Sequence, residues 1–377
     1  MKINKLADMK KNPKIIISGG GTGGHIFPAV SIANALKATC PEVEILFVGA
    51  AGKMEMEKVP AAGYKIIGLP VAGLQRKLSA SNLLLPFKVA SSVYKARSII
   101  RDFKPDVAVG VGGYASAPLL WAASTMGIPC LIQEQNSFAG LTNRILSRRA
   151  KRICTAYEGM ERFFPAERII LTGNPIRSDI GQASPEQRQE GRGFYGLNPD
   201  KKTIFIVGGS LGCRTLNEVM KSFIMKDGGK KPFQIIWQCG RIYRKEMEEF
   251  LAAHEAPNVF CTDFITRMDL AYAAADIVVS RAGAGTISEL CCAGKATIFV
   301  PSPMVAEDHQ THNAMALVNK DAALMVKDSE AVGSLMGAAE KLLDDKAAIK
   351  KLESNILRLG KADAAETIAG EVLKLIS

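Results

Sequence analysis

Lys14-Ile-Ile-Ile-Ser-Gly-Gly-Gly-Thr-Gly-Gly-His25 decides how this chain is read. A β-branched run stops at five glycines and a threonine, and a histidine follows. Residues 26–38 then place apolar side chains at helical spacing until Thr39-Cys-Pro41 ends them. Strand, glycine loop and helix in that order bring backbone N–H groups and a helix N-terminus onto a phosphate or a sugar. The loop fits Gly-x-Gly-x-x-Gly through Gly19, Gly21 and Gly24, a weak pattern that equally serves close strand–helix packing. Two common uses fail. A Walker A loop needs Lys-Ser/Thr after its last glycine, where this chain has His25. A dinucleotide fold needs a carboxylate at the end of its second strand, and the expected strand, Glu44-Ile-Leu-Phe-Val-Gly-Ala50, runs into Ala51-Gly52 without one.

Outward from this stretch the pattern repeats. A short helix around 54–59 and a third strand over 63–69 follow. Lys104-Pro-Asp-Val-Ala-Val-Gly-Val-Gly-Gly-Tyr114 is another buried strand running into a glycine turn, ahead of a helix opened by Ala115-Ser-Ala-Pro. Ile128-Pro-Cys-Leu-Ile-Gln-Glu-Gln-Asn136 ends in a polar cluster before a helix expected over 140–150. Strands alternating with helices at this spacing predict a parallel, doubly wound α/β sheet, which places ligands at strand C-terminal ends. Lys202-Thr-Ile-Phe-Ile-Val-Gly-Gly-Ser-Leu-Gly212 restarts the pattern, with strands expected near 234–238, 259–262, 277–280, 297–300 and 323–326, and a helical tail over 331–376. The reading is therefore two Rossmann-like domains facing a cleft: 1–178, a polar connector at 179–200, and 201–360. A helix over 361–377 is expected to pack back on the first domain.

At 377 residues the chain has room for two domains, and 47% hydrophobic with 23% charged residues suits a globular protein with a full core. The net charge of +11 suggests an acidic partner, whether nucleotide sugar, nucleic acid or anionic membrane, or simply a lysine-rich surface. Eight cysteines without a Cys-x-x-Cys pair form neither a zinc framework nor a disulfide scaffold and favour a reducing compartment. His309-x-x-His312 has no cysteine nearby, and no metal is expected there. Residues 1–13 lack the apolar core of a signal peptide, and no run of about eighteen apolar residues occurs. Gln75-Arg-Lys77 followed by Leu83-Leu-Leu-Pro-Phe-Lys88 puts an apolar knot inside a basic rim. It suits an anionic bilayer, or equally a helix start whose leucines enter the core.

Three further segments carry chemistry. Gly208-Gly-Ser-Leu-Gly212 is a second phosphate-loop candidate through Ser210. In Ser280-Arg-Ala-Gly-Ala-Gly-Thr-Ile-Ser-Glu-Leu290, Thr286 is expected to start a helix with Glu289 at capping-box spacing. Glu289 could instead accept both hydroxyls of a ribose. Gln310 and Asn313, one turn apart, offer amides to sugar hydroxyls. Together they describe a nucleotide-sugar donor facing an acceptor.

In their order, Gly-Gly-Gly-Thr-Gly-Gly-His, Gly-Gly-Tyr, Gln-Glu-Gln-Asn, Gly-Asn-Pro-Ile-Arg, Gly-Gly-Ser-x-Gly, Ala-Gly-Thr-Ile-Ser-Glu and Asp-His-Gln-x-x-Asn-Ala make the chain resemble the bacterial N-acetylglucosaminyltransferases of peptidoglycan synthesis, which have the GT-B fold. The resemblance covers roughly residues 14–320. It implies inverting transfer of N-acetylglucosamine from UDP-N-acetylglucosamine to the muramyl C4 hydroxyl of undecaprenyl-diphospho-muramoyl-pentapeptide, with no cofactor, on the cytoplasmic face of the inner membrane. Carried over by position, Thr22, Gly23, Gly24, Asn136, Arg177 and Ser210 belong to the donor site, as do Ile265 (whose backbone would read uracil), Ala284, Gly285, Thr286, Ile287, Ser288, Glu289 and Gln310. Gly21, Gly112, Gly113 and Tyr114 fall on the acceptor side. Leu211 departs from members that carry glutamine after the serine.

His25 is the base candidate, because it follows the loop and an unperturbed imidazole has its pKa close to working pH, with a loop-bracing histidine as the alternative. Another GT-B transferase or a UDP-sugar epimerase would share the donor half but lack the Gly-Gly-Tyr and Gln-Glu-Gln-Asn segments. A nucleic-acid-binding protein would need exposed aromatic platforms. Aromatics are only 6% of this chain and lie mostly in apolar strands.

Overall fold

The isoleucine run Lys14–Ser18 forms strand β1, buried on both faces, as expected in the middle of a parallel sheet. The structure, a computed structural model, describes residues 12–71, 85–209, 211–227 and 230–376. Arg76, Lys77, Leu83, Leu84 and Ser210 lie outside the described residues, as do the side chains of 85–88. The chain divides into two units, Met1–Ile176 with Asp363–Ser377, and Arg177–Ala362.

In the first unit β1 is followed by β2 (Glu44–Ala50), β3 (Lys65–Leu69), β4 (Val107–Gly110), β5 (Cys130–Glu134), β6 (Arg152–Thr155) and β7 (Ile169–Leu171). They form one sheet in the order β3-β2-β1-β4-β5-β6-β7, and every pairing is parallel. The helices are α1 (Gly23–Thr39), α2 (Glu55–Ala61), α3 (Leu85–Phe103), α4 (Ser116–Thr125) and α5 (Leu141–Leu146). Strand alternation sends Ile15 and Ile17 into one core with Ile26, Ile32 and Leu36 of α1. Ile16 enters the other with Ile99 and Ile100 of α3 and Leu119 and Leu120 of α4. The chain leaves β1 toward β3 and resumes on its other side at β4, so the crevice between β1 and β4 is the topological switch point where such sheets bind ligands.

The second unit repeats the plan. Its strands are β8 (Thr203–Val207), β9 (Gln234–Gln238), β10 (Val259–Thr262), β11 (Ile277–Ser280), β12 (Thr297–Phe299) and β13 (Leu324–Met325), ordered β10-β9-β8-β11-β12-β13. The switch point lies between β8 and β11. Residues 181–200, expected to be a polar connector, contain helix α6 (Pro185–Phe194), opened by a capping box between Ser184 and Gln187. Arg188 and Arg192 of α6 both pair with Asp276, which also accepts the Thr203 N–H at 2.7 Å. The remaining helices are α7 (Arg214–Asp227), α8 (Arg244–Ala253), α9 (Met268–Ala274), α10 (Ala284–Ala293), α11 (His309–Val318), α12 (Ala331–Asp344) and α13 (Lys346–Leu357). The tail then returns to the first unit as α14 (Ala364–Leu373), whose Ile368, Ala369 and Val372 join the core under α1.

The helix expected over 140–150 stops at Leu146. Arg168 donates from Nη1 to the carbonyls of Ser147, Arg148 and Ala150, satisfying groups that another helical turn would have used. The basic run 147–152 is therefore a turn leading into β6, and Arg149 stacks on Trp121 at 4.1 Å from the ring centre.

Candidate active site

Each unit gathers polar and glycine-rich segments at its own switch point. In the first unit both glycine turns hang from the end of β1. Ser18 O accepts the Val111 N–H at 2.7 Å and the Ser116 hydroxyl at 3.0 Å. Gly113 has φ +87°, and a Cβ there would stand 2.3 Å from Gly20 O. Gly112 has φ +97°, and its Cβ would stand 2.7 Å from Cδ2 of His25. Both positions need glycine, for conformation and for space. They bring the two turns into contact with the His25 ring lying across the second.

The helix begins at Gly23, three residues before its apolar periodicity, so Gly23, Gly24 and His25 form its first turn. Thr22 is the N-cap residue but makes no side-chain cap bond. Its Oγ1 lies 3.3 Å from His25 Nδ1 instead. Tyr114, at the tip of the second turn, is 53% exposed.

Sequence reasoning missed Glu55. Its fully buried carboxylate accepts the Gly21 N–H on Oε2 and the Ala50 N–H on Oε1, each at 2.9 Å. A carboxylate does stand beyond β2, but it braces the loop from below and takes a loop N–H that a phosphate would otherwise use. The one local signal is its place in the acidic first turn of α2.

The Gln-Glu-Gln-Asn segment closes β5. Glu134 is buried and accepts four hydrogen bonds, from the backbones of Asn136 and Gly140 and from the amides of Asn136 and Asn143. Burial pushes its carboxyl up, and these bonds offset that only in part. Gln133 donates to Asn174 at 2.8 Å, Asn174 to Gln135 O at 3.0 Å, and Gln135 to Val111 O at 2.7 Å. These motif side chains are internal struts. Asn136, half-buried, is the one at the surface of the cluster.

In the second unit Gln238 Oε1 accepts the Gly208 N–H at 3.0 Å, and Gly212 N–H closes onto Gly209 O at 2.9 Å. Arg177 grips Asp179 through two bonds, Nε to Oδ1 at 3.0 Å and Nη2 to Oδ2 at 2.5 Å; that pairing raises its pKa. Ile265 is buried.

The capping box expected at Thr286 and Glu289 does not form. Gly283 is the N-cap and α10 starts at Ala284, which puts Thr286 in the first turn and Glu289 in the second. Glu289 Oε2 instead accepts from the Tyr272 hydroxyl at 3.1 Å. Burial raises its carboxyl, against the Tyr272 hydrogen bond and the Arg177 charge. Gly285 is exposed on the first turn, Ile287 is buried, and Ser288 donates to Ala284 O at 3.0 Å.

Gln310 Oε1 accepts the Ser302 N–H at 2.8 Å, so its carbonyl fixes the loop before α11. Glu307 and Asp308, both left-handed at φ +55° and +48°, turn the chain into that helix, the kind of backbone strain that gathers at ligand sites. Asn313 does not offer a sugar its amide. It is fully buried and donates to Ala282 O at 3.4 Å, pinning the turn after β11. Among the described residues no group of three or more His, Cys, Asp or Glu could hold a metal ion.

The glycosyltransferase family 28 N-terminal domain matches residues 15–155, and the C-terminal domain of the same family matches residues 203–368. The chain belongs to glycosyltransferase family 28. Its architecture is GT-B, with a parallel sheet in each unit. A family 28 relative from Parabacteroides distasonis, UDP-N-acetylglucosamine--N-acetylmuramyl-(pentapeptide) pyrophosphoryl-undecaprenol N-acetylglucosamine transferase, is 54% identical over 96% of this chain and 98% of its own length. The crystal structure of Acinetobacter baumannii MurG superposes with a TM-score of 0.77 at 29% identity, covering 96% of this chain and 99% of that one. A UDP-N-acetylglucosamine 2-epimerase structure shares the fold alone, with a TM-score of 0.63 at 16% identity over 97% of this chain and 96% of its own.

Proposed function

We propose that this chain transfers N-acetylglucosamine from UDP-N-acetylglucosamine to the muramyl C4 hydroxyl of undecaprenyl-diphospho-muramoyl-pentapeptide. The observation that carries the reading is the 54% identity to a transferase of that name along nearly the whole of both chains. The placement of the His25 ring across the Gly112 turn supports it in detail. The C4 oxygen attacks the anomeric carbon of N-acetylglucosamine as the bond from that carbon to the diphosphate oxygen breaks. The electron pair leaves on UDP, and inversion gives a β(1→4) link. The hydroxyl proton passes to His25. In this reading Nδ1 keeps its hydrogen toward Thr22 Oγ1, 3.3 Å away, and the accepting nitrogen is Nε2, on the ring edge beside Gly112.

Gly21, Gly112, Gly113 and Tyr114 serve the acceptor in this reading. The donor rests on Glu289 for the ribose, Gln310 and Asn136 for the sugar, and the Ile265 backbone for uracil. Charge on departing UDP falls on the Ser210 loop, the first turn of α10 (Ala284, Gly285, Thr286) and Arg177. Turnover is accordingly expected to persist in chelator.

The lipid-linked acceptor calls for a bilayer surface. No described helix is long and apolar enough to cross a membrane. Trp121 on α4 and Leu141 and Ile145 on α5 are exposed, with Arg144 and Arg149 beside them over the Phe163 and Trp121 rings. Apolar side chains rimmed by arginine suit peripheral binding to the anionic cytoplasmic face of the inner membrane. Reversing charge at Arg76, Lys77, Lys88 and Arg149 is expected to lower sedimentation with anionic liposomes, and unchanged sedimentation would remove the membrane assignment.

The deciding experiment follows UDP release with and without the lipid acceptor. Release only with acceptor, and a disaccharide product, is expected. His25→Ala should lower kcat by about 10²–10⁴-fold at near-constant donor KM. Near-normal turnover would return His25 to a bracing role.

A further inference from the structure

Tyr272 lies in α9, where Leu270, Ala271, Ala273 and Ala274 are also buried. Its own surface is 2% exposed, and its ring meets Phe205 of β8 edge-on with centroids 5.9 Å apart. Packing therefore fixes the rotamer, and with it the hydroxyl, which donates to Glu289 Oε2 at 3.1 Å. Burying a hydroxyl against a carboxylate desolvates both, a cost that only their pairing offsets. A phenylalanine would fill nearly the same space without that demand, so hydrophobic packing alone does not account for the oxygen.

We infer that Tyr272 is a positioning residue for the donor, holding Oε2 of Glu289 so that Oε1 is presented to the ribose hydroxyls. The inference rests on the assignment of Glu289 to the ribose. A carboxylate on a flexible three-carbon arm has to be immobilised before it can accept two hydroxyls at once. Helix α10 fixes its backbone, and Tyr272 fixes the far end. The other charged groups that act on this carboxylate are Arg177 and Asp179, from the segment that opens the second unit. Arg177 is itself held by two bonds to Asp179. The phenol thus supplies a rigid, uncharged anchor beside an ion pair that is nearly half exposed.

Tyr272→Phe keeps the ring and removes one oxygen, so the thermal midpoint is expected to stay within a few degrees of the parent. Donor KM is expected to rise on the order of tenfold, as for loss of a hydrogen bond to a charged group, with kcat nearly unchanged. The preference for UDP-N-acetylglucosamine over its 2′-deoxyribose analogue should shrink in parallel. A folded Tyr272→Phe with unchanged donor KM and unchanged preference, beside a Glu289→Ala that raises donor KM, overturns the inference and leaves the ribose assignment standing. A Glu289→Ala that leaves donor KM and the preference unchanged overturns both. A purely structural tyrosine would lower the midpoint without altering the preference for the ribose hydroxyl, and that result also overturns the inference.

Discussion

Glu289, the proposed ribose ligand, is kept at a cost to the fold. Burial raises its carboxyl above the ordinary value of 4.5, and the Tyr272 bond and Arg177 charge offset this only in part. The sign of the effect on stability follows. Below the ordinary value both folded and unfolded chains hold the proton. As pH rises, the unfolded chain releases its proton first, so the folded state loses stability until its own carboxyl has ionised. Glu289→Gln removes that charge while its amide oxygen can still accept from Tyr272. It is expected to raise the thermal midpoint at pH 7, with the gain fading toward pH 4, while donor KM increases. A gain of equal size at both pH values would show that the carboxylate carries no such penalty. This is the usual direction of trade-off at a functional site.

At the scale of elements, the glycine loop depends on the strand–loop–helix segment from β2 to α2 that lies beneath it. Glu55 satisfies the buried Ala50 N–H and the N–H of Gly21, an exposed residue. Glu55→Ala leaves both without that acceptor; water can reach Gly21, and about 1–3 kcal/mol is lost at Ala50. A loss of about 1–3 kcal/mol in denaturant unfolding is expected, together with faster amide exchange at Gly21. A change below about 0.5 kcal/mol would mean that water replaces the carboxylate freely. This contact was illegible in the sequence because it depends on how the chain folds back after β2, and the local pattern shows only an acidic helix start. The strands were legible for the opposite reason: a run such as Ile15–Ile17, buried on both faces, is hydrophobic throughout. Helix starts were less so. Gly23 and Gly24 begin α1 without any apolar side chain to announce it, and Thr286 resembles a cap although Gly283 takes that place. Asn313 and Gln310 look alike in sequence. Only packing shows that Asn313 is spent on Ala282.

At the scale of the whole molecule, the polypeptide enters the second unit at Arg177 and comes back to the first at Asp363. The first unit therefore needs the last helix of the chain to finish its core. Ile368 and Val372 of α14 have no exposed surface and Leu373 has 7%, all in the cluster with Ile26, Ile32 and Leu36 of α1. Glu371 pairs from the same helix with Arg152 of β6 at 3.6 Å. Burying each large side chain contributes about 1.5–3 kcal/mol, so the three together rival the roughly 5–15 kcal/mol by which a domain is stable. Truncation after Ala362 is expected to abolish the unfolding transition of the first unit and all transfer to the lipid acceptor. The second unit, whose core is closed by its own helices α7 and α12, should still unfold cooperatively and should still be stabilised by UDP, because the proposed donor groups Arg177, Glu289 and Gln310 remain on it. Ile368→Val, which removes one methylene, should cost only about 0.5–1.5 kcal/mol and leave turnover intact. Calorimetry of the truncated chain with and without UDP separates the outcomes: two intact transitions would show that α14 is dispensable, and a single transition that UDP does not shift would move the donor site off the second unit.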